Sequence, residues 1–249
     1  MRFDRIGVVS WVGYRERLKR TLAEIDRIGL TSSGVDIDVQ VQFGNLFEAK
    51  CFDTIKRSRA MDRWPYMFDC TMGHYAILKR AQRLGAKNLL VMEDDCRFML
   101  DPNESLCILR SIPEDYSLAL AECWPILGKG GVEEWLGTTE AQRRGGWRPF
   151  CGYEYRGASC YAVSADGIDR LIRLYERCLG YGKWKDRTLM VCDQWFSERY
   201  MKPERKCYFA YPPAGIQRKT EDTVTKAGFD IDARYRSFGI DTSLYREDF

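Results

Sequence analysis

The apolar positions of the chain repeat with two different periods, and each period predicts one kind of element. From Val35 to Phe43, apolar residues alternate strictly with aspartate and glutamine, which predicts a strand with one buried face and one solvated face. Shorter and predominantly apolar runs are typical of central strands covered on both faces. These runs span residues 6–11, 88–92, 116–121 and 159–163.

Helical spacing separates these strands. Leucine and isoleucine recur every three or four residues from Leu18 to Ile28, and Gly29 follows where a helix C-cap belongs. Residues 70–84 and 168–175 carry similar apolar stripes, and Ser164 is placed to cap the second one. Because strands and helices alternate, the sequence predicts an α/β/α sandwich with a mainly parallel central sheet.

The length of 249 residues fits one domain, with two segments that lack a clear period. Residues 129–155 are rich in glycine, arginine and tryptophan, which predicts a long loop or lid inserted into the domain. Residues 220–249 are polar and poorly periodic, so we expect them to wrap the domain surface. We therefore predict a single domain over residues 1–249.

Composition excludes several classes of protein. A net charge of +3, from 39 basic and 36 acidic residues, is too mild to predict a nucleic-acid partner. No apolar run is long enough to span a bilayer, and the chain starts without an export signal. We therefore expect a cytoplasmic protein with reduced thiols, and the basic surface leaves peripheral membrane association open. Ten cysteines without a C-x-x-C pair, beside one histidine, argue against a structural zinc site.

The strongest chemical signal is the triplet Glu93, Asp94 and Asp95, which directly follows a buried strand. Ligands of α/β sheets bind beyond the carboxyl ends of the strands. Three adjacent carboxylates repel one another unless a cation or basic groups compensate their charge. Oxygen ligands suit Mn²⁺ or Mg²⁺, and the clamp would use Asp95 with either Asp94 or Glu93. The alternative, a solvated acidic loop, is less favoured for three carboxylates at a strand end.

Three sequence blocks resemble the family 25 glycosyltransferases, which include lipooligosaccharide and collagen galactosyltransferases. The first block runs from Tyr14 to Leu18 and resembles the family's Arg-bearing first helix. The second, residues 70–98, resembles a G-C-x-x-S-H-x-x-I helix feeding a strand that ends in E-D-D. The third, residues 157–164, resembles a G-T-x-x-Y-x-I-S block. Asp69 and Gly73 depart from the family pattern, and residues 125–155 match no part of it.

The resemblance implies a GT-A-type fold that binds a UDP-sugar donor and a divalent metal at the E-D-D strand end. It further implies inverting transfer of a hexose, with galactose favoured, to a hydroxyl of a glycan, lipooligosaccharide or glycoprotein acceptor. Mn²⁺ or Mg²⁺ held by Asp94 and Asp95 would stabilise the charge on the departing diphosphate. Asp193 is the candidate base, with an N-cap as the alternative role, and Glu122 is the second candidate.

Several further residues are candidates for binding the donor. His74 is either a donor-site residue or a histidine satisfied inside the fold. Arg15 and Arg17 follow the first strand and are placed to contact the donor phosphates. Gln217 corresponds to a glutamine near the donor in the family, and Glu93 completes the predicted set. An aromatic and basic cluster is a candidate sugar platform, although core packing explains it nearly as well; it comprises Trp135, Arg143, Arg144, Trp147 and Arg148.

Two other functions remain open from the sequence. A metal-dependent nucleotidyltransferase or phosphosugar enzyme also uses carboxylates at strand ends, but it should carry a Gly-rich phosphate loop. Gly7 and Gly13 alone do not make such a loop. A non-catalytic glycan-binding relative would have little reason to keep all three carboxylates.

Overall fold

The computed structural model describes most of the chain, with gaps between the described ranges. These ranges are residues 3–11, 13–31, 34–42, 64–126, 146–149, 154–180, 196, 200–201, 203–218 and 231–246. Among them, five α-helices and eleven strands alternate along the chain. The predicted strands and helices are all present, with bounds that differ by a few residues.

The three helices that the apolar stripes predicted each bury one side in the apolar core beside the sheet. No helix in the described part of the chain is long and apolar enough to cross a membrane. The helices are α1 (Arg15–Arg27), α2 (Trp64–Arg83), α3 (Pro102–Arg110), α4 (Ala165–Gly180) and α5 (Ile231–Ser237).

Seven strands form the central sheet, and two pairs form small additional sheets. The central strands are β1 (Arg5–Trp11), β2 (Asp36–Gln42), β3 (Asn88–Glu93), β5 (Leu118–Leu120), β7 (Gly146–Pro149), β9 (Cys160–Ser164) and β10 (Cys207–Tyr211). The small sheets pair β4 (Cys96–Phe98) with β11 (Gly215–Gln217), and β6 (Trp124–Ile126) with β8 (Glu154–Arg156).

The order of the central strands is β2-β1-β3-β9-β5-β10-β7. Strands β1, β2 and β3 pair in parallel, as do β5 and β10. Strand β9 runs antiparallel to both of its neighbours, and β7 runs antiparallel to β10. Five strands therefore share one direction, which confirms the predicted mixed α/β fold with a mainly parallel sheet.

Successive side chains of each central strand point to opposite sides of the sheet, so an apolar strand gives the sheet two apolar faces. Helices cover both of these faces. Leu89 and Val91 of β3 pack in one cluster with residues of α2 and α4. Leu90 and Met92 of the same strand pack in a second cluster with residues of α1 and α3. The two apolar clusters make the predicted α/β/α sandwich.

Gly7 of β1 is a packing glycine. A Cβ built on it would lie 2.3 Å from Cγ2 of Ile77 on α2, so only glycine lets this helix approach the strand so closely. Gly7 sits inside the strand and is not part of a phosphate-binding loop. The close approach brings the α2 residues that follow Cys70 against the centre of the sheet.

The two segments without a clear period contribute more to the fold than the sequence indicated. Residues 129–145 and 150–153 of the predicted lid region lie outside the described residues, whereas residues 146–149 form β7 and residues 154–155 belong to β8. In the predicted surface tail, Tyr235 and Tyr245 are buried in the core. Their aromatic side chains follow neither a strand period nor a long helical stripe, so the sequence pattern did not reveal their burial.

Candidate active site

The triplet Glu93, Asp94 and Asp95 lies at the carboxyl end of β3, at the edge of the sheet where α/β proteins bind ligands. The amide of Asp94 donates a hydrogen bond to the carbonyl of Val9 on β1, at 3.0 Å. The amide of Glu93 donates to the carbonyl of Ser159, at 2.8 Å. Two neighbouring segments therefore fix the backbone from which the three carboxylates project.

Asp94 is almost fully buried, and both of its carboxylate oxygens have partners. Its Oδ2 accepts hydrogen bonds from the Ser10 hydroxyl, at 2.6 Å, and from the amide of Trp11, at 3.4 Å. Its Oδ1 lies 2.6 Å from Nη2 of Arg17. Burial raises the pKa of Asp94, and Arg17 and Ser10 counteract part of that rise.

Asp95 is also buried, but only one of its two carboxylate oxygens is paired. Oδ2 accepts a hydrogen bond from the Gln217 side-chain amide, at 2.9 Å, and lies 3.3 Å from Nη2 of Arg17. Oδ1 is buried without a hydrogen-bond partner among the described residues. Burial raises the pKa of Asp95 to about 7, Arg17 lowers it, and Glu93 and Asp94 raise it further. The Oδ1 atom of Asp95 is therefore able to coordinate a cation.

Arg17 supplies the positive charge nearest to these two carboxylates. One nitrogen, Nη2, is shared between Asp94 and Asp95, and 17% of the side chain is exposed. Burial lowers the pKa of Arg17, but Asp95 and Asp94 raise it by more, so the guanidinium is charged. Arg15, the other predicted phosphate contact, is exposed in the first turn of α1. The structure therefore brings Arg17 and Gln217 together with Asp94 and Asp95.

Glu93 turns away from the two aspartates and contacts α2 instead. Its Oε1 lies 3.2 Å from Nε2 of His74 and accepts a hydrogen bond from the Cys70 thiol, at 3.6 Å. His74 is fully buried, and its Nδ1 lies 2.9 Å from the hydroxyl of Tyr161. Burial lowers the pKa of His74, but Cys70 and Glu93 raise it by more, to about 10. Burial raises the pKa of Glu93, and His74 brings it below its ordinary value.

Glu122, the second candidate base, is completely buried and hydrogen-bonded. Its Oε1 accepts from the Tyr235 hydroxyl, and its Oε2 accepts from the amide of Ser159, at 3.1 Å. A Cβ on Gly157 would lie 2.6 Å from Oε2, and Gly157 has a φ of +99°, so glycine is required there. The Tyr235 hydroxyl in turn accepts from the amide of Gln217, at 3.0 Å. Glu122 therefore links Tyr235 of the C-terminal segment to Ser159, and Tyr235 links it to Gln217, the residue that contacts Asp95.

The raised pKa of Glu122 predicts a pH-dependent stability. Burial raises this pKa to about 8, whereas an unfolded glutamate titrates at about 4.3. Between those pH values the carboxyl of Glu122 is protonated in the folded protein and ionised in the unfolded chain. The free energy of unfolding therefore falls as pH rises, and the contribution of Glu122 is lost once the pH has passed the folded pKa. The slope is at most about 1.4 kcal/mol per pH unit.

Replacing Glu122 with glutamine removes this titration. We expect the free energy of unfolding of Glu122→Gln, measured by urea denaturation from pH 5 to 8, to decline less with pH than that of the parent protein. The exposed Glu114→Gln variant is the control and should keep the parent slope. Equal slopes for Glu122→Gln and the parent would contradict the prediction.

Other candidate residues are only partly described. Asp193, the first candidate base, lies outside the described residues, as do Trp135, Arg143 and Arg144 of the predicted sugar platform. Trp147 is half-buried, and its ring nitrogen donates to the carbonyl of Ile108, at 2.8 Å. The guanidinium of Arg148 lies 5.6 Å from the centre of the Tyr211 ring. Trp147 therefore contacts α3, and Arg148 contacts β10.

Sequence reasoning missed four residues that contact the site. Ser10 lies in a predicted strand and Tyr235 in the predicted surface tail, and only the fold brings them to Asp94 and to Glu122. Tyr161 is the tyrosine of the third resembling block, but nothing in that block indicates its contact with His74. Cys70, in contrast, precedes His74 by four residues in a predicted helix, and this spacing places both side chains on one helix face.

Comparison with known proteins leaves the family open. No protein-family model matches the chain, and no curated protein matches it, so membership of family 25 stays a prediction. Solved structures similar to this chain at low identity include the following three. A glycosyltransferase involved in the glycosylation of the major capsid of PBCV-1 is 9% identical with a TM-score of 0.48, covering 90% of this chain and 99% of that chain.

The other two structures are less similar overall. Mannose-1-phosphate geranyltransferase from Thermus thermophilus is 12% identical with a TM-score of 0.37, covering 96% of this chain and 80% of that chain. Mouse xyloside xylosyltransferase 1 is 10% identical with a TM-score of 0.37, covering 95% of this chain and 80% of that chain. At these identities and TM-scores none of the three assigns an activity to this chain.

Proposed function

We propose that the chain is a metal-dependent glycosyltransferase that moves a sugar from a UDP-sugar to an acceptor hydroxyl with inversion at the anomeric carbon. The observation that carries the proposal is the group formed by Asp94, Asp95 and Arg17 at the carboxyl end of β3. Two carboxylates and a guanidinium in this crevice suit a ligand with both a metal ion and phosphate oxygens. The resemblance to family 25 supplies the class of donor.

The donor set fits a hard divalent cation. Asp95 offers a buried carboxylate oxygen that lacks a partner in the described residues, and Asp94 lies beside it. Oxygen donors of this kind suit Mn²⁺ or Mg²⁺ with phosphate oxygens in the remaining positions. A metal ion held there supplies Lewis-acid stabilisation of the negative charge that develops on the diphosphate.

The residues around the two carboxylates orient them and add charge. Ser10 and Trp11 fix the plane of the Asp94 carboxylate, and Gln217 fixes that of Asp95. Arg17 places a permanent positive charge beside both groups, and its guanidinium suits a diphosphate oxygen as well as a carboxylate. We expect this preorganised charge to favour departure of UDP.

Transfer requires one bond to form and one to break at the anomeric carbon. The acceptor oxygen bonds to that carbon as the bond to the diphosphate oxygen breaks, and the acceptor proton passes to a carboxylate base. We propose Asp193 for the base, on the family resemblance. Glu122 is fully buried and bonded to Tyr235 and Ser159, so we assign it a positioning role.

The resemblance also supports the finer assignments. We propose galactose as the favoured sugar, and a glycan, a lipooligosaccharide or a glycoprotein as the acceptor. Donor hydrolysis without acceptor can identify the sugar first, since water can replace the acceptor hydroxyl.

The experiment is calorimetry with UDP, with and without Mn²⁺, followed by hydrolysis assays with UDP-Gal, UDP-Glc, UDP-GlcNAc and UDP-GalNAc. We expect UDP to bind more tightly with Mn²⁺, and one donor to be hydrolysed. The proposal would be wrong if UDP did not bind and none of the four UDP-sugars were hydrolysed. Pyrophosphate release from UTP and a sugar 1-phosphate would identify a nucleotidyltransferase instead. Binding of glycans without any nucleotide would identify a non-catalytic relative.

A further inference from the structure

Three side chains of different chemistry converge beside the two aspartates without contacting them. Cys70 and His74 lie one turn apart on α2, and Glu93 reaches them from the end of β3. One donor atom from each of the three lies within 4.8 Å of the others. Among the described residues, these three side chains form a group that could hold a metal ion with three protein ligands, unlike the pair Asp94 and Asp95.

Two of the three distances between these donor atoms match those of a tetrahedral metal site, and the third is below 4.8 Å. With Zn–S of about 2.3 Å and Zn–N or Zn–O of about 2.0–2.2 Å, neighbouring donors lie about 3.3–3.6 Å apart. Nε2 of His74 lies 3.2 Å from Oε1 of Glu93, and Sγ of Cys70 lies 3.6 Å from the same oxygen. The side chains therefore need little movement to accept an ion.

The His74 ring has a hydrogen-bond partner on one nitrogen, which is the usual arrangement for a histidine that binds a metal through the other nitrogen. Nδ1 lies 2.9 Å from the Tyr161 hydroxyl, and the two rings stack with their centres 5.5 Å apart. When His74 binds an ion through Nε2, its Nδ1 carries the proton and donates to the Tyr161 hydroxyl, and this hydrogen bond orients the ring. Here it aims Nε2 at Glu93 and Cys70.

The site is supported inside the fold and open on one side. His74 is completely buried, whereas Cys70 is half-buried and 21% of the Glu93 side chain is exposed. An ion can therefore reach the donors from solvent. Within the acidic triplet, Asp94 and Asp95 form ion pairs with Arg17, whereas Glu93 contacts side chains of α2.

We propose that Cys70, His74 and Glu93 form a second cation site, for a thiophilic divalent ion such as Zn²⁺. One sulfur, one nitrogen and one oxygen donor suit Zn²⁺, whereas Mn²⁺ and Mg²⁺ prefer oxygen donors alone. Three protein ligands leave the fourth position to water or a further group, and the bound ion joins α2 to β3. The proposal can be tested apart from the transferase activity, because the metal clamp proposed for that activity uses Asp94 and Asp95 and not these three side chains.

Titration of the reduced apo-protein with Co²⁺ tests the site. A cysteine thiolate bound to tetrahedral Co²⁺ produces a charge-transfer band in the near ultraviolet. We expect this band in the parent protein and in Asp95→Asn, and its loss in Cys70→Ser. Cys107→Ser is the matched control, because its thiol is exposed on α3 and away from the three donors. A parent protein without the band, or a Cys70→Ser variant that keeps it, would overturn the proposal.

A second measurement uses Zn²⁺ and stability. An ion that binds only the folded protein raises its melting temperature, and we expect this rise in the parent protein and in Cys107→Ser but not in Cys70→Ser. Tyr161→Phe removes only the oxygen that orients His74, and we expect it to weaken Zn²⁺ binding by about 10–100-fold. Equal Zn²⁺ affinity for all three variants and the parent would contradict the assignment.

Discussion

Replacing Asp95 with asparagine is expected to lower metal-dependent turnover of the UDP-sugar by roughly 10³-fold. Asparagine keeps the shape of the side chain but removes the charge and one carboxylate oxygen, so it is a much weaker ligand for Mn²⁺. The measurement is the hydrolysis rate with the best donor at saturating Mn²⁺, together with calorimetry of UDP binding.

Stability distinguishes this loss from simple unfolding. Burial raises the pKa of Asp95 to about 7, so the folded state disfavours its ionised form. A neutral asparagine should therefore fold with a free energy of unfolding within about 1 kcal/mol of the parent. Asp36→Asn is the control for the chemical change, because Asp36 is exposed at the amino end of β2. Parent-like turnover in a folded Asp95→Asn variant would remove Asp95 from the metal site.

Replacing Arg17 with methionine is expected to lower the free energy of unfolding by about 3 kcal/mol. Methionine keeps the length and the apolar stem of the side chain, but it leaves the buried carboxylates of Asp94 and Asp95 without their shared guanidinium. Because Mn²⁺ would neutralise the same carboxylates, it should restore part of the lost stability. The measurement is urea denaturation at pH 7.5 with and without Mn²⁺.

An arginine on the same helix provides the control for this variant. Arg20 is exposed three residues later on α1, so Arg20→Met should change stability by less than about 0.5 kcal/mol. Stabilisation by Mn²⁺ should be larger in Arg17→Met than in the parent. Parent-like stability of Arg17→Met, or no response of that variant to Mn²⁺, would contradict the role assigned to Arg17.

Much of the fold could be predicted because its signals are local. The alternation that begins at Val35 and the apolar run before Glu93 each depend on neighbouring residues, and they correspond to the strands β2 and β3 of the central sheet. The antiparallel insertion of β9 between β3 and β5 could not be predicted. A buried strand has the same apolar pattern in either direction, so its direction depends on how the chain connects.

The site could be predicted where one segment carries its chemistry. Asp94 and Asp95 were identified from a strand that ends in carboxylates, and Arg17 from the helix after the first strand. Their common contact, in which one Arg17 nitrogen serves both carboxylates, depends on the distance between two separate segments. Gln217 reaches Asp95 across 122 positions of sequence, and no local pattern reports such a contact.

Periodicity and charge in the sequence by themselves determined the α/β class and placed three carboxylates at the end of a buried strand. Only the tertiary structure decided how those carboxylates are used. The Glu93 side chain points to the same face of the sheet as Leu89 and Val91, where it contacts Cys70 and His74. Asp94 and Asp95 contact Arg17, because α1 lies close to the end of β3. The physical reason is that charge repulsion within the triplet is a property of the sequence, whereas the groups that relieve it come from other elements and meet the triplet only when the chain folds.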